Sequence, residues 1–122
     1  MRSHEKLDVW KKSIEFVVEI YGLTNKFPSE EKYGLTSQIR RASVSIPANI
    51  AEGAARESDK EFLRFLSIAQ GSASEVETEL LIANRLGYLS DANYASARLA
   101  LDEIGRMAMG LANHLKRKSQ AS

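Results

Sequence analysis

The sequence predicts an all-α protein folded as an antiparallel, up-down-up-down four-helix bundle. Apolar residues recur at spacings of three and four along nearly the whole chain, which is the period of a helix. Only two prolines interrupt the 122 residues, and no stretch alternates apolar and polar residues as a half-buried strand does. Steps of three and four also suit the left-handed packing of helix bundles. We therefore expect one domain, residues 1–122, with a core of its own.

The first two helices are expected over about residues 6–27 and 33–56. The first helix ends by Phe27, because a residue that precedes proline, here Pro28, is pushed out of the helical region. Each helix carries a stripe predicted to face the core: Leu7, Trp10, Ile14, Val17 and Tyr21 in the first, and Leu35, Ile39, Ala42, Ile46 and Ile50 in the second.

The third and fourth helices are expected over about residues 59–86 and 91–117, followed by a polar tail at 118–122. Ser58 offers an oxygen acceptor that caps the third helix, and Gly87 suits the left-handed position that ends it. The core stripes are Phe62, Leu66, Ala69, Ala73, Val76, Leu80 and Ala83 in the third helix, and Tyr94, Ala97, Leu101, Ile104, Ala108, Leu111 and Leu115 in the fourth.

Pro47 lies inside the predicted second helix. It has no backbone N–H group, and its ring crowds the carbonyl of Ser43 one turn earlier. The core stripe resumes at Ile50 in the same register, so we expect a kink in the helix and not its end. Ser45 is expected to satisfy the backbone group that the proline frees.

Two of the predicted helices carry apolar or small residues outside their core stripes. These are Val44, Ala48 and Ala51 in the second helix, and Leu63, Ile68 and Leu81 in the third. A monomeric bundle leaves such residues in water, so a helix of this kind is either central in its fold or covered by another subunit. We expect a homo-oligomer. The alternative is that these are scattered exposed apolar residues, which are common.

Composition and charge exclude several classes of protein. The formal net charge is +1, with nine basic and seven acidic residues in 1–56 and eight and nine in 57–122, which is not the balance of a strongly basic nucleic-acid binder. The chain has no cysteine and therefore no disulfide or thiolate chemistry. It has no apolar run long enough to span a membrane and no signal-peptide core at its start. We expect a soluble cytoplasmic protein without a membrane partner.

Seven basic residues are candidates for contacts with nucleic-acid phosphates. They are Arg40 and Arg41, joined by Lys11, Lys12, Arg56, Lys60 and Arg64. The alternative is that at least one of the two adjacent arginines pairs with Glu52, Glu75 or Glu79 across helices or subunits. An oligomer could also align modest basic patches into a large one.

No catalytic, metal or cofactor site is predicted. Ser45, Asn49 and Glu52 lie close in sequence, but no histidine is near to activate a nucleophile, and Asn49 and Glu52 are expected to bond across the bundle. His4 and His114 belong to no Glu-x-x-His or His-x-x-x-His pattern. The glycines are dispersed and form no phosphate-binding loop, so we expect neither an enzyme nor a small-molecule substrate.

Three long stretches resemble a known family. GLTSQIRRASVSIPANIAEG (34–53), KEFLRFLSIAQGSASEVETELLIANRLGY (60–88) and LDVWKKSIEFVVEIY (7–21) are similar to the four-helix-bundle proteins of bacterial 23S rRNA intervening sequences. Glu79 is a departure, since the family often has glutamine there. The signature residues are Pro47, Ser45, Asn49, Glu52, Gly53, Gly71 and Glu75.

The resemblance implies an antiparallel four-helix bundle and, for related proteins, a ring-like homopentamer. A similar fold occurs in the accessory variability protein of diversity-generating retroelements, a basic pentamer that binds nucleic acid and a reverse transcriptase. The resemblance thus leads us to expect a non-enzymatic, homo-oligomeric module that binds or scaffolds structured RNA or DNA, or a nucleic-acid enzyme. The alternative is a purely structural or protein-interaction module without nucleic-acid binding.

Overall fold

The structure, a computed structural model, describes residues 3–121. Its four long helices are α1 (Asp8–Thr24), α2 (Leu35–Ala54), α3 (Asp59–Arg85) and α4 (Asp91–Ala121). Short 3-10 helices at Ser3–Lys6 and Ser29–Glu31 precede α1 and α2. No strand occurs within the described residues. The predicted all-α, four-helix fold is confirmed.

Each long helix packs against two others, so that the four close into a bundle. α2 lies between α1 and α3, α4 lies between α3 and α1, and the contact between α2 and α3 is the most extensive. Two ion pairs show the relative direction of α3 and α4. Glu77 of α3 meets Arg98 near the start of α4, whereas Asp59 at the start of α3 meets Lys118 near the end of α4. These two helices therefore run in opposite directions.

The core face of α1 differs from the predicted stripe. The buried residues of this helix are Val9, Ser13, Phe16, Ile20 and Thr24. Of the predicted stripe, Leu7, Trp10 and Val17 are half-buried, and Ile14 and Tyr21 are exposed. Both stripes have the same spacing, but the observed one contains two hydroxyl residues. Each hydroxyl donates to a backbone carbonyl one turn earlier, so its burial leaves no unpaired group.

The stripes predicted for α2, α3 and α4 do face the core. Most of their residues are buried, and the others are half-buried: Leu35, Phe62, Ala73, Tyr94 and Leu111. Phe27 and Leu89, from the two connections at one end of the bundle, are also buried in this cluster. The result is one continuous hydrophobic core among the described residues.

α3 begins and ends at the predicted capping residues, whereas α4 ends later than predicted. The Ser58 hydroxyl accepts a backbone N–H of the first turn of α3, and Gly87 has a φ of +82° just after that helix ends. The predicted polar tail at 118–122 is wrong, because α4 continues to Ala121; position 122 lies outside the described residues. Lysine and arginine are good helix formers, and their charge is favourable near a helix C-terminus.

α2 continues through Pro47 to Ala54, so the proline does not end the helix. The kink itself stays a prediction. The predicted role of Ser45 was wrong, because its side chain faces α3 and shares a hydrogen bond of 2.7 Å with the Ser72 hydroxyl. Asn49 does not bond across the bundle either. Its side-chain amide donates to the carbonyl and the hydroxyl of Ser45 within the same helix.

α2 and α3 approach each other closely near Gly53. A Cβ atom at this position would lie 2.8 Å from Cβ of Phe65 and 2.9 Å from Cδ1 of Phe62. Only a residue without a side chain fits there. Gly71 of α3 has no such constraint, since a Cβ atom there would meet nothing within 4 Å.

Glu79 is a buried carboxyl group on α3. Its side chain is 7% exposed, and Oε1 has no hydrogen-bond partner within residues 3–121. Burial, with a smaller contribution from the negative charge of Glu75, raises the pKa of Glu79 from 4.5 to about 6. The folded protein therefore holds this proton more tightly than the unfolded chain does.

Replacing Gly53 by alanine should destabilise the protein by about 1–3 kcal/mol, because the new methyl group overlaps two phenylalanine side chains. Gly71→Ala is the matched control and should stabilise by up to about 1 kcal/mol, since alanine favours the helix. Urea unfolding followed by circular dichroism measures both changes. Equal effects of the two substitutions would contradict the close approach of α2 and α3.

The free energy of unfolding should fall as the pH rises from about 4.5 to about 6, because the raised pKa of Glu79 makes the folded state bind more protons in this interval. Above pH 6 the cost of ionising this buried carboxyl group remains, so Glu79→Gln should remove the slope and stabilise the protein at pH 7 by about 2 kcal/mol. Urea unfolding between pH 4.5 and 8 tests this. The exposed Glu57→Gln serves as control, and an unchanged slope in Glu79→Gln would refute the assignment.

Candidate nucleic-acid interface

The structure divides the seven candidate basic residues among three places. Arg56, Lys60 and Arg64 lie where α2 ends and α3 begins. Arg40 and Arg41 lie in the first half of α2, about 20 Å away at 1.5 Å per residue. The two lysines lie near the start of α1: Lys11 and Lys12. The seven residues therefore do not form one continuous patch on a single chain.

Two arginines at the junction of α2 and α3 stack on the same aromatic ring. The guanidinium carbon of Arg56 lies 4.9 Å from the centroid of the Phe65 ring, and that of Arg64 lies 5.3 Å from it. Arg56 also contacts Glu52 at 2.9 Å, and Arg64 contacts Glu61 at 3.5 Å. Both arginines remain exposed. The prediction that Glu52 bonds across the bundle is thus wrong, because Glu52 pairs with Arg56, four residues later in the chain.

The end of α4 reaches the same place. Nζ of Lys118 lies 3.7 Å from the carboxylate of Asp59, the first residue of α3. We name this end of the bundle the basic pole, consisting of Arg56, Lys60, Arg64, Lys116, Arg117 and Lys118. The segments 52–64 and 114–120 together hold six basic residues against four acidic ones, so the local charge is positive.

The lysines of α1 differ from each other. Lys12 pairs with Glu103 of α4 at 3.3 Å and joins those two helices. Lys11 is exposed, as is Lys60 on α3. An exposed lysine is free to approach a phosphate, whereas one that pairs with a carboxylate must first exchange its partner.

Arg40 is held by the end of α1. Its Nε donates to the Thr24 hydroxyl at 2.9 Å, its Nη2 donates to the Tyr21 carbonyl at 3.5 Å, and its guanidinium lies 4.5 Å from the centroid of the Tyr21 ring. The side chain is half-buried. No glutamate of residues 3–121 takes part, and Arg40 joins α1 to α2 through neutral acceptors and an aromatic ring. Pairing of either arginine with a glutamate of another subunit stays a prediction.

Arg41 is exposed, as expected of the residue that follows Arg40 by about 100° around the helix. It lines a groove between α2 and α3 together with Ser45 and Glu75. Within residues 3–121 no carboxylate lies within the 4.0 Å of an ion pair from Arg41. Arg41 is therefore the more accessible arginine of the pair.

Sequence reasoning missed Tyr33, which lies in the turn before α2. Its side chain is 88% exposed, the most of any large hydrophobic or aromatic residue described. Nζ of Lys32 lies 5.5 Å from the centroid of its ring. The available signal was an aromatic residue that follows a lysine in a polar turn and belongs to no core stripe.

A second exposed surface is apolar. Ile14 and Val18 of α1 and Val44 of α2 are 39%, 69% and 41% exposed. Ala48, one turn after Val44, is exposed as well. These four residues lie on two helices that pack against each other, and we name them the apolar face. They include Val44 and Ala48, two of the three residues that the sequence placed outside the core stripe of α2, whereas the third, Ala51, is half-buried.

Other kinds of site find no support in the described chain. No group of three or more histidine, aspartate or glutamate side chains in residues 3–121 is placed to hold a metal ion. No helix in that range has both the length and the apolar character needed to cross a bilayer.

Comparisons with known proteins place the chain in a family. The family model described as 23S rRNA-intervening sequence protein matches residues 5–110. A crystal structure of a protein of unknown function from the S23 ribosomal protein family of Bacteroides thetaiotaomicron is similar, with a TM-score of 0.79 and 32% sequence identity. That match covers 85% of this chain and 97% of the other. A comparison with curated proteins gives no match. The chain therefore belongs to the 23S rRNA-intervening sequence protein family.

Proposed function

We propose that this protein is a non-enzymatic, self-associating helical module of the cytoplasm that binds structured nucleic acid through its basic pole. The observation that carries the proposal is the pair of exposed guanidinium groups, Arg56 and Arg64, on the Phe65 ring, with Lys60 on the same turns of α3.

Stacking prepares these arginines for phosphate binding. A guanidinium that lies on an aromatic ring has lost part of its rotamer freedom before a ligand arrives, so less entropy is lost on binding. Its planar N–H groups match the oxygens of a phosphate. The ion pairs with Glu52 and Glu61 are solvent-exposed, and such pairs contribute little, so a phosphate can replace the carboxylates at small cost.

Self-association strengthens a modest charge. One basic pole carries only a small positive excess, whereas several copies side by side present their poles to one nucleic-acid molecule at a high effective concentration. The apolar face supports this part of the proposal, because exposed apolar patches mark sites of protein association. The homopentamer implied by the family resemblance is the stoichiometry we propose.

A second candidate function rests on the same apolar face. If the arginines serve only to fix the junction of α2 and α3, the protein is a scaffold that binds another protein. The ring contacts of Arg56 and Arg64 and the anchoring of Arg40 on α1 are consistent with such structural use of arginine. Binding measurements separate the two candidates, because only the first one includes affinity for nucleic acid.

A variant with Arg56, Lys60 and Arg64 all changed to alanine should bind a fluorescein-labelled RNA hairpin at least about tenfold more weakly at low salt. The slope of log Kd against log salt should decrease by about one for each lost phosphate contact. Fluorescence anisotropy over a salt series measures both quantities.

The matched control changes three exposed cations outside the basic pole, Lys26, Arg85 and Arg106, to alanine. It has the same net charge as the first variant and should keep most of the affinity. Equal losses in both variants would mean that only overall charge matters. Unchanged affinity in the first variant would remove the basic pole from the proposal.

The apolar face should control the oligomeric state. Val18→Asp and Val44→Asp place a charge where we expect another subunit, so each should lower the molar mass measured by light scattering, with helicity unchanged. Leu99→Asp is the control, because Leu99 of α4 is as exposed as Val18, at 69%, but lies outside this face. A wild-type protein that is monomeric at high concentration would overturn self-association.

A further inference from the structure

A shallow groove of about 370 Å³ lies beside the first half of α2, on the side of α1. Three cations and two tyrosines line it: Lys32, Arg40, Arg41, Tyr21 and Tyr33. Its remaining lining residues are a serine and a threonine, and none is a carboxylate. Cationic and aromatic side chains are the combination that binds nucleotides in single strands.

The exposed tyrosine is on a fixed turn. The carboxylate of Glu31 accepts the backbone N–H of Leu35 at 3.1 Å through Oε1 and the Tyr88 hydroxyl at 3.1 Å through Oε2. These bonds tie the turn that carries Tyr33 to α2 and to the connection before α4.

The two arginines of the groove differ in whether the protein already holds their guanidinium groups. Arg40 uses two of its five N–H groups on α1, which fixes the guanidinium and leaves three others. Arg41 is exposed and forms no ion pair within residues 3–121. A phosphate that enters the groove meets one cation that is already oriented, Arg40, and one that is exposed, Arg41, with Lys32 beside the Tyr33 ring.

We propose that this groove binds an unpaired nucleotide of a nucleic-acid strand, with the base stacked on Tyr33 and the phosphate held by Arg41 and Arg40. The inference rests on the proposed function, because the same strand is also held at the basic pole. A strand suits the site better than a free nucleotide does. The groove is open, whereas a small ligand needs a site that buries most of its surface.

The test uses an RNA hairpin with a single-stranded 3′ extension that carries 2-aminopurine, and the same hairpin without the extension. Wild-type protein should bind the extended hairpin more tightly and quench the 2-aminopurine fluorescence. Tyr33→Leu should lose the quenching and weaken binding of the extended hairpin by about 5- to 150-fold, the range known for loss of one base–aromatic stack. Its affinity for the blunt hairpin should stay unchanged.

Tyr33→Phe is the matched control, since phenylalanine keeps the ring and should keep both quenching and affinity. Arg41→Ala should weaken binding of the extended hairpin and lower its salt slope by about one. Free adenosine monophosphate should not compete at micromolar concentration. Competition at micromolar concentration would mean that the groove binds a free nucleotide, and it would overturn the proposal that the groove binds a nucleotide of a strand.

The failures of this inference and of the proposed function are distinguishable. If wild-type protein binds both hairpins equally and Tyr33→Leu changes nothing, the nucleotide site is refuted while the basic pole is retained. If wild-type protein binds neither hairpin at low salt, both are refuted. Helicity by circular dichroism, measured for every variant, separates loss of binding from loss of fold.

Discussion

The close approach of α2 and α3 at Gly53 is the constraint on which the candidate interface depends. Because position 53 has no side chain, Phe65 packs directly against the backbone of α2. That ring lies beside the connection from α2 to α3, and the guanidinium groups of Arg56 and Arg64 lie over it. A larger residue at 53 would push the helices apart and remove the common platform. The geometry of the basic pole is thus set by packing in the core.

Some charged residues of this chain join its helices, and others are exposed. Arg40 joins α2 to α1, and Lys12 joins α1 to α4. Arg41 and Lys60 are exposed. A net charge of +1 conceals this division, because structural and accessible cations count equally in a sum over the sequence. What matters for a phosphate is the set of cations whose partners are weak or lacking.

Periodicity and capping chemistry predicted most of the fold, since the four helices, the Ser58 cap and the Gly87 turn all depend on local rules. The prediction of the core face of α1 was wrong for a physical reason. When a helix has two apolar stripes, its sequence does not show which of them faces the core. A serine or threonine counts as polar in such a pattern, although its hydroxyl can be buried when it donates to a backbone carbonyl of the same helix. The acceptors of Arg40 were likewise beyond sequence reasoning, because a carbonyl and a hydroxyl leave no charge signature. Tyr33 was missed because an exposed aromatic residue in a turn belongs to no periodic pattern.

The unequal lengths of the helices have a consequence for local stability. α4 has 31 residues and α3 has 27, whereas α1 has 17, so α3 and α4 are longer than α1 by about three to four turns. Residues 116–120 at the far end of α4 are exposed and contribute no buried apolar surface. We expect these turns to fray at a smaller free energy than the middle of the bundle, and their amide hydrogens to exchange with solvent sooner than those of the middle. Half of the basic pole is built on this part of the chain, so a bound polyanion must order it and would thereby slow its exchange.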